Sequence, residues 1–168
     1  TETRPASASA GPAAQGAKQV LDPLLFELWG SRLIEASAGT GKTWTIAALY
    51  VRLVLGHGGD QGFARPLLPA DILVMTFTRA ATRELSDRIR QRLLNAAQCF
   101  RGEQAVASGD RFMADLMASY GNPAARRQAA LALALAAQSM DAAAVHTIDA
   151  WCQRMLREHA FDSGSLFD

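Results

Sequence analysis

The stretch LIEASAGTGKTWTIAALY, residues 33–50, decides the fold. Residues 32–36 form a short, mostly apolar run, residues 36–43 a glycine-rich turn, and residues 43–55 an apolar run of helical length. Strand, loop and helix are therefore expected in that order. The turn fits the phosphate-loop pattern G-x-x-x-x-G-K-[ST], with Ala36 in place of the first glycine. Such a loop wraps a phosphate chain with its own amide groups, which demands small residues at close approach, and the helix start adds its partial positive charge. Ala36, Ser37, Ala38, Gly39, Thr40, Gly41, Lys42 and Thr43 are the candidate cradle for a nucleoside triphosphate, expected to be ATP. Lys42 is expected to reach the β- and γ-phosphates, and the Thr43 hydroxyl to ligate Mg²⁺. The chain has two lysines, Lys18 and Lys42, against fifteen arginines, so a lysine is retained at the one place where a compact cation suits a phosphate.

Outward from this stretch, Gly56, Gly58 and Gly59 end the helix, which is apolar on nearly every side with Arg52 its only charge past Lys42. That pattern predicts a helix covered on both faces. After a loop with Gly62, Pro66 and Pro69, residues 71–77 (DILVMTF) read as a buried parallel strand, completing a strand–helix–strand crossover unit with residues 32–36. Helices are expected over 80–96, with Leu85, Ile89, Leu93 and Ala96 on one stripe, and over 110–120, 124–139 and 150–160. Residues 143–148 read as a third strand. The fold class is α/β, a parallel sheet flanked by helices. Before the decisive stretch, residues 20–29 read as a strap lying on the domain, and residues 1–19 as a flexible tail too poor in large apolar side chains to offset the entropy of ordering.

Composition agrees with a packed domain. The chain has 168 residues, 49% of them hydrophobic and 20% charged, enough for a core and too few for a second full domain. The net charge of +1 means that any affinity for nucleic acid must come from a local patch. Cys99 and Cys152 stand alone and make neither a disulfide framework nor a zinc motif. No apolar run approaches the roughly 18 residues of a membrane span, and a reducing, intracellular setting is expected. His146, Cys152 and His159 fall on different elements, which argues against a metal site, and His57 lies among loop glycines. Trp44 and Trp151 sit at helix starts, where packing is their ordinary role.

The second strand is followed by Thr76, Phe77, Thr78 and Arg79, then by a helix with Arg83, Arg88, Arg90 and Arg92. Strand ends of open parallel sheets face the ligand crevice. Hydroxyls there suit phosphates and an aromatic ring suits an unpaired base. Taken singly, Phe77 reads as a core residue and the arginines as a solvated face, although Arg79, Arg83 and Arg90 share a side and leave a modest basic surface.

Together, LIEASAGTGKTWTIAALYVRL, DILVMTFTRAATRELSDRIRQRL and DAAAVHTIDAWCQRMLREHAFDSGSLF resemble the amino-terminal part of superfamily 1A, UvrD/Rep-like DNA helicases, of the RecB type found in exodeoxyribonuclease V. The resemblance runs from Leu21 to Asp168. It implies a P-loop NTPase (RecA-like) fold, with residues 20–168 as an incomplete amino-terminal portion of motor domain 1A. It also implies ATP and Mg²⁺ as cofactors, single-stranded and duplex-end DNA and the other subunits of a RecBCD-like complex as partners, a bacterial cytoplasmic setting, and a role in double-strand-break repair and recombination. By the same resemblance Lys42 and Thr43 are catalytic, while Thr76, Phe77, Thr78, Arg79, Thr147 and Asp149 face DNA.

This chain departs from the family pattern in three respects. Asp149 stands where the family usually has His, and an acidic group repels a phosphate backbone. The stretch Leu28, Trp29, Gly30 offers no glutamine to read adenine. The sequence contains no Asp-Glu pair, so the metal-holding acid and water-orienting glutamate of such ATPases are missing, as are arginine fingers. These residues alone are thus expected to bind nucleotide without hydrolysing it usefully. A small P-loop kinase and a non-catalytic module with the loop as an anion nest are the competing readings.

Overall fold

The computed structural model describes residues 20–37, 39 and 41–160. The expected tail over 1–19, and the stretch 161–168 that helped to carry the resemblance, lie outside the described residues. The elements in chain order are α1 (Lys42–Leu55), β1 (Leu73–Thr76), α2 (Arg79–Arg101), α3 (Arg111–Ala118), α4 (Pro123–Gln138), β2 (Ala144–Thr147) and α5 (Ile148–Glu158), with short 3₁₀ turns at Gly59–Gln61, Pro69–Asp71 and Ser139–Ala142. The chain is α/β, with a small parallel sheet.

The helices form where the sequence supplies both a stripe and a cap. In α2 the predicted stripe of Leu85, Ile89, Leu93 and Ala96 is buried, joined by Ala97, Cys99 and Phe100. The Thr78 hydroxyl accepts from the Ala81 amide at 3.1 Å to start this helix, and Gly102, at φ +75°, ends it. Asn122 caps α4 through the Ala124 amide at 2.8 Å, and Pro123 follows in the first turn, where its missing N–H costs nothing. The small side chains of Ala129, Ala130, Ala136 and Ala137 let α4 lie close along α2. The two helices run in opposite directions. Arg101, at the end of α2, shares a groove with Pro123 and Arg127 at the start of α4, while Arg90, a few turns earlier, pairs with Asp141 just beyond its end at 2.5 Å. Met113 and Leu116 of α3 and Leu133 of α4 complete a core whose centre is fully inaccessible to solvent.

The sheet has two parallel strands, in register from Leu73 opposite Ala144 to Thr76 opposite Thr147. Val74 and Val145 lean on the core, whereas Leu73 and Met75 are exposed on the other face. This topology corrects one expectation. Residues 32–36 form no strand: they are irregular, and Leu33 is 83% exposed. A strand exists by virtue of a hydrogen-bonded neighbour, and neither β1 nor β2 pairs with this segment among the described residues. The parallel crossover therefore joins β1 to β2 through α2, α3 and α4 rather than joining residues 32–36 to β1.

Helix α1 is covered on both faces over residues 47–55, each of them buried or half-buried. It buries Ala47, Ala48, Tyr50, Val51, Arg52 and Val54, while Trp44 and Ile46 stay exposed. Its lone internal charge is the most informative of these residues. Arg52 is fully buried, and its guanidinium donates to the carbonyls of Pro23 at 2.9 Å and Phe26 at 2.6 Å and, through Nε, to His57 Nδ1 at 3.2 Å. Because arginine only donates, His57 Nδ1 accepts and Nε2 carries the hydrogen, directed at Ser119 Oγ 3.2 Å away, which in turn donates to the Leu116 carbonyl at 2.6 Å. Burial, then the charge of Arg52, lowers the proton affinity of His57. This clamp fixes the expected strap over 20–29 against α1 and ties it to α3. The strap is also held by Leu28 N donating to the Gln61 carbonyl at 2.8 Å and by Trp29 Nε1 donating to Asp60 O at 3.1 Å. Gly58 is required here, since a β-carbon would stand 2.5 Å from the Arg52 guanidinium.

Candidate functional site

The phosphate-loop residues lie where the strap passes into α1. Of the eight candidates, Ala38 and Thr40 lie outside the described residues. Gly39 and Gly41 both have left-handed backbones, at φ +78° and +84°, conformations that side-chain-bearing residues rarely adopt. A β-carbon at either would meet nothing within 4 Å, so conformation and not crowding selects glycine, and the space over the loop is open.

Gly41 caps α1 with no side-chain hydrogen bond, and there is no acidic residue in the first turn. The helical ladder starts with Thr45 N donating to Gly41 O at 2.9 Å, which leaves the amides of Lys42, Thr43 and Trp44 without a helical carbonyl. Ser37, Gly39, Gly41 and Lys42 are exposed, and Ala36 and Thr43 are half-buried. First-turn amides without a helical carbonyl, no acid in the turn itself and one compact cation are the donor set that suits a polyphosphate, while Glu84 of α2 lines the cleft beside it. A cleft of about 450 Å³ adjoins this helix start, walled by Gly41, Thr43 and Trp44 on α1 and by Arg88, Gln91 and Arg92 on α2.

A second group of candidates gathers at the carboxyl ends of the strands. Phe77 is 90% exposed, the reverse of the core placement that its residue type favours. It lies one residue past β1, and the alternation that turns Val74 inward puts it on the exposed face with Leu73 and Met75. The flanking hydroxyls are locally engaged. Thr78 caps α2, and Thr76 Oγ1 lies 2.6 Å from Thr82 Oγ1 and 3.1 Å from the Thr78 carbonyl oxygen. Thr147, opposite Thr76 in the ladder, has the capping role on the neighbouring strand, accepting from the Ala150 amide at 3.1 Å to start α5. Two helix starts thus rise side by side at one edge of the sheet. Arg79 begins one of them and is exposed. Asp149 lies in the first turn of the other, where a negative charge is favourable, and its carboxylate accepts from Gln153 Nε2 at 3.2 Å.

The expected arginine surface is smaller than the spacing implied. Arg90 is withdrawn from it by Asp141, while Arg79 and Arg83 remain exposed. Residue patterning did not reveal Arg92. Its fork grips Asp110 at 2.5 and 3.0 Å, both side chains being nearly buried, and its guanidinium lies 5.5 Å from the Trp44 ring centre and 5.3 Å from that of Phe112. The Arg92 hydrogen bond holds the Asp110 carboxyl below its ordinary range. The one legible sign was Asp110 itself, a helix-capping residue type just before an apolar run. Among the described residues no three His, Cys, Asp or Glu side chains are grouped to hold a metal, and no helix is long and apolar enough to cross a membrane.

Left-handed glycines opening an α-helix, beside a small parallel sheet whose strand tips carry an exposed aromatic ring, define an α/β domain with a candidate phosphate loop. Comparison with known proteins narrows this further. Residues 19–167 match the UvrD/REP helicase N-terminal domain, and the chain belongs to that family. It is 50% identical over 152 residues to the RecBCD enzyme subunit RecB of Escherichia coli, an overlap of 89% of this chain and 12% of that protein. It is 41% identical over 153 residues to the subunit of the same name in Haemophilus influenzae, covering 88% of this chain and 12% of the relative. In Mycobacterium tuberculosis the corresponding figures are 32% over 139 residues, 79% and 12%. The chain therefore spans about 12% of the length of these relatives.

Proposed function

We propose that this chain is the nucleotide-binding portion of an ATP-dependent DNA helicase of the RecB type, working with partner subunits in a RecBCD-like exonuclease complex on broken DNA ends in the bacterial cytoplasm. In this reading residues 20–168 are the beginning of motor domain 1A, with a RecA-like sheet, and residues 1–19 are a tail. The observation that carries the reading is the helix start at Gly41, with open amides, glycine-only backbone and Lys42 in one place.

Residues 36–43 cradle the phosphates, Lys42 supplies a point charge to the terminal ones, and Thr43 presents its hydroxyl to Mg²⁺. Mg-ATP, when bound, supplies the free energy of phosphoanhydride hydrolysis. The chain's own contribution is to bind and orient the phosphates, because it has no Asp-Glu pair with which to hold the metal and direct water. At the strand tips Phe77 stacks on an unpaired base of single-stranded DNA. Arg79 and the uncapped first-turn amides that follow Thr78 and Thr147 meet the backbone, Thr76 fixes the turn that presents Phe77, and Asp149 marks where phosphate contact ceases.

The test is Lys42→Ala in the whole protein that carries this sequence. DNA-stimulated ATP hydrolysis should fall by roughly 10²-fold while the thermal midpoint stays in place. Undiminished hydrolysis in that variant would remove the site from residues 36–43.

A further inference from the structure

The start of α1 is capped by no side chain of its own helix. The segment before it makes no strand pairing among the described residues, Gly41 gives no side-chain cap, and the first turn carries no acid. What meets it from the side is a brace built on other helices. Asp110, at the head of α3, accepts from the Met113 amide at 3.1 Å and holds both arms of the Arg92 fork. Arg92, in mid α2, lies over the rings of Trp44 and Phe112, and those two rings meet edge to face with centres 6.0 Å apart. Trp44 is two residues past Lys42 and 45% exposed, so burial alone does not fix it.

We infer that Arg92 and Asp110 are positioning residues for the nucleotide site, acting through Trp44 to set the direction of the first-turn amides of α1. The inference rests on the nucleotide reading above. Arg92 lines the same cleft as Gly41 and Thr43, yet its fork is committed to Asp110 and its face to two rings, so it is not a phosphate ligand. That separates two roles experimentally. A phosphate ligand needs charge, which lysine keeps. A brace needs a planar fork and a stacking face, which lysine lacks.

The experiment measures ATP KM, kcat and half-saturating DNA concentration for DNA-stimulated hydrolysis in the whole protein. It compares Arg92→Lys, Asp110→Asn, Trp44→Leu, Trp44→Phe and the double variant Arg92→Lys/Trp44→Leu, with Lys42→Ala alongside. Asparagine keeps the cap on α3, and phenylalanine keeps a ring for the guanidinium, so both variants retain the packing needed to fold. Arg92→Lys, Asp110→Asn and Trp44→Leu should each raise ATP KM by roughly five- to tenfold, a change of about 1 kcal/mol at 1.4 kcal/mol per decade. Trp44→Phe should stay near wild type, half-saturating DNA should not move, and the double variant should lose no more than the worse single one, because both changes break one contact. Recovery of wild-type KM by Arg92→Lys, or losses that add in full in the double variant, overturns the brace. Undiminished ATP hydrolysis in Lys42→Ala overturns the nucleotide reading itself, whatever the brace variants do.

Discussion

The body made by α2, α3 and α4 and the rim made by the phosphate loop, the strand tips and α5 treat apolar surface in opposite ways. In the body Ile89, Leu93, Met113, Leu116 and Leu133 are sealed from water, and most large side chains face inward. Along the rim Leu33, Phe77, Ile148 and Leu156 are open to solvent, and α5 buries none of its residues despite a strongly amphipathic pattern. Burial of apolar area drives folding, so the body supplies most of the stability. The rim keeps backbone amides, one lysine and one aromatic ring available to ligands. In the proposed reading stability and binding therefore reside in different residues, and substitutions can separate them.

The sharpest test of that division is Leu93→Ala. Leu93 is fully buried between helices, and its truncation should lower unfolding free energy by about 2–5 kcal/mol, read by urea denaturation. A loss below about 1 kcal/mol would mean that the body is not the stable half. Lys42→Ala is the counterpart on the rim, with a large loss of hydrolysis and an unmoved thermal midpoint. Phe77→Ala comes next. Affinity for single-stranded DNA should fall by about 1–3 kcal/mol with unfolding free energy changed by less than about 0.5 kcal/mol, because the ring is 90% exposed and in the proposed reading stacks on a base. If Phe77→Ala unfolds the protein instead, the rim belongs to the core after all.

The smallest effect concerns acid and the joints between the two regions. The proton affinity of His57 is lowered by burial and by Arg52, so its contribution to stability is complete above the ordinary histidine value of 6.5 and is lost as pH falls below it, when the unfolded chain takes up the proton first. Asp110 is held below its ordinary 3.8 by the Arg92 hydrogen bond, so its contribution persists until pH falls through that depressed value. Thermal midpoints followed from neutral pH downward should fall in two stages, the strap clamp yielding first and the brace second. His57→Gln should abolish the first stage and leave the second.

How much of this could be read from the residues depends on the range of the interactions. The stripe of α2, its end at Gly102, the stop of α1 at Gly56 and the parallel strands over 73–76 and 144–147 follow from period, caps and apolar runs, all local signals. The candidate phosphate loop stood out because glycine, lysine and threonine at fixed offsets answer one chemical demand, and the left-handed backbones of Gly39 and Gly41 are in keeping with it. Residues 32–36 misled because an apolar run shows a capacity to pair, and pairing needs a neighbour. The role of Arg52 was hidden because its acceptors lie 29 and 26 residues earlier in the chain, and that of Arg92 because Asp110 is 18 residues away. A solitary arginine in an apolar helix was the only hint, and it shows a need for partners without naming them. Phe77 divides the signals: residue type alone favours burial, whereas its place at the strand tip, in step with Leu73 and Met75, turns it outward.

The register that sets Thr76 opposite Thr147 has a consequence for the charge along the sheet edge. It brings two helix starts to the same level on strands about 5 Å apart. The start of α2 has Arg79 and no acid in its first turn, whereas that of α5 contains Asp149. Electrostatic potential therefore steps from positive to negative across the width of a single strand pair. In the proposed reading, a DNA backbone laid across this end of the sheet meets a slope rather than a plateau and settles on the α2 side, beside Phe77.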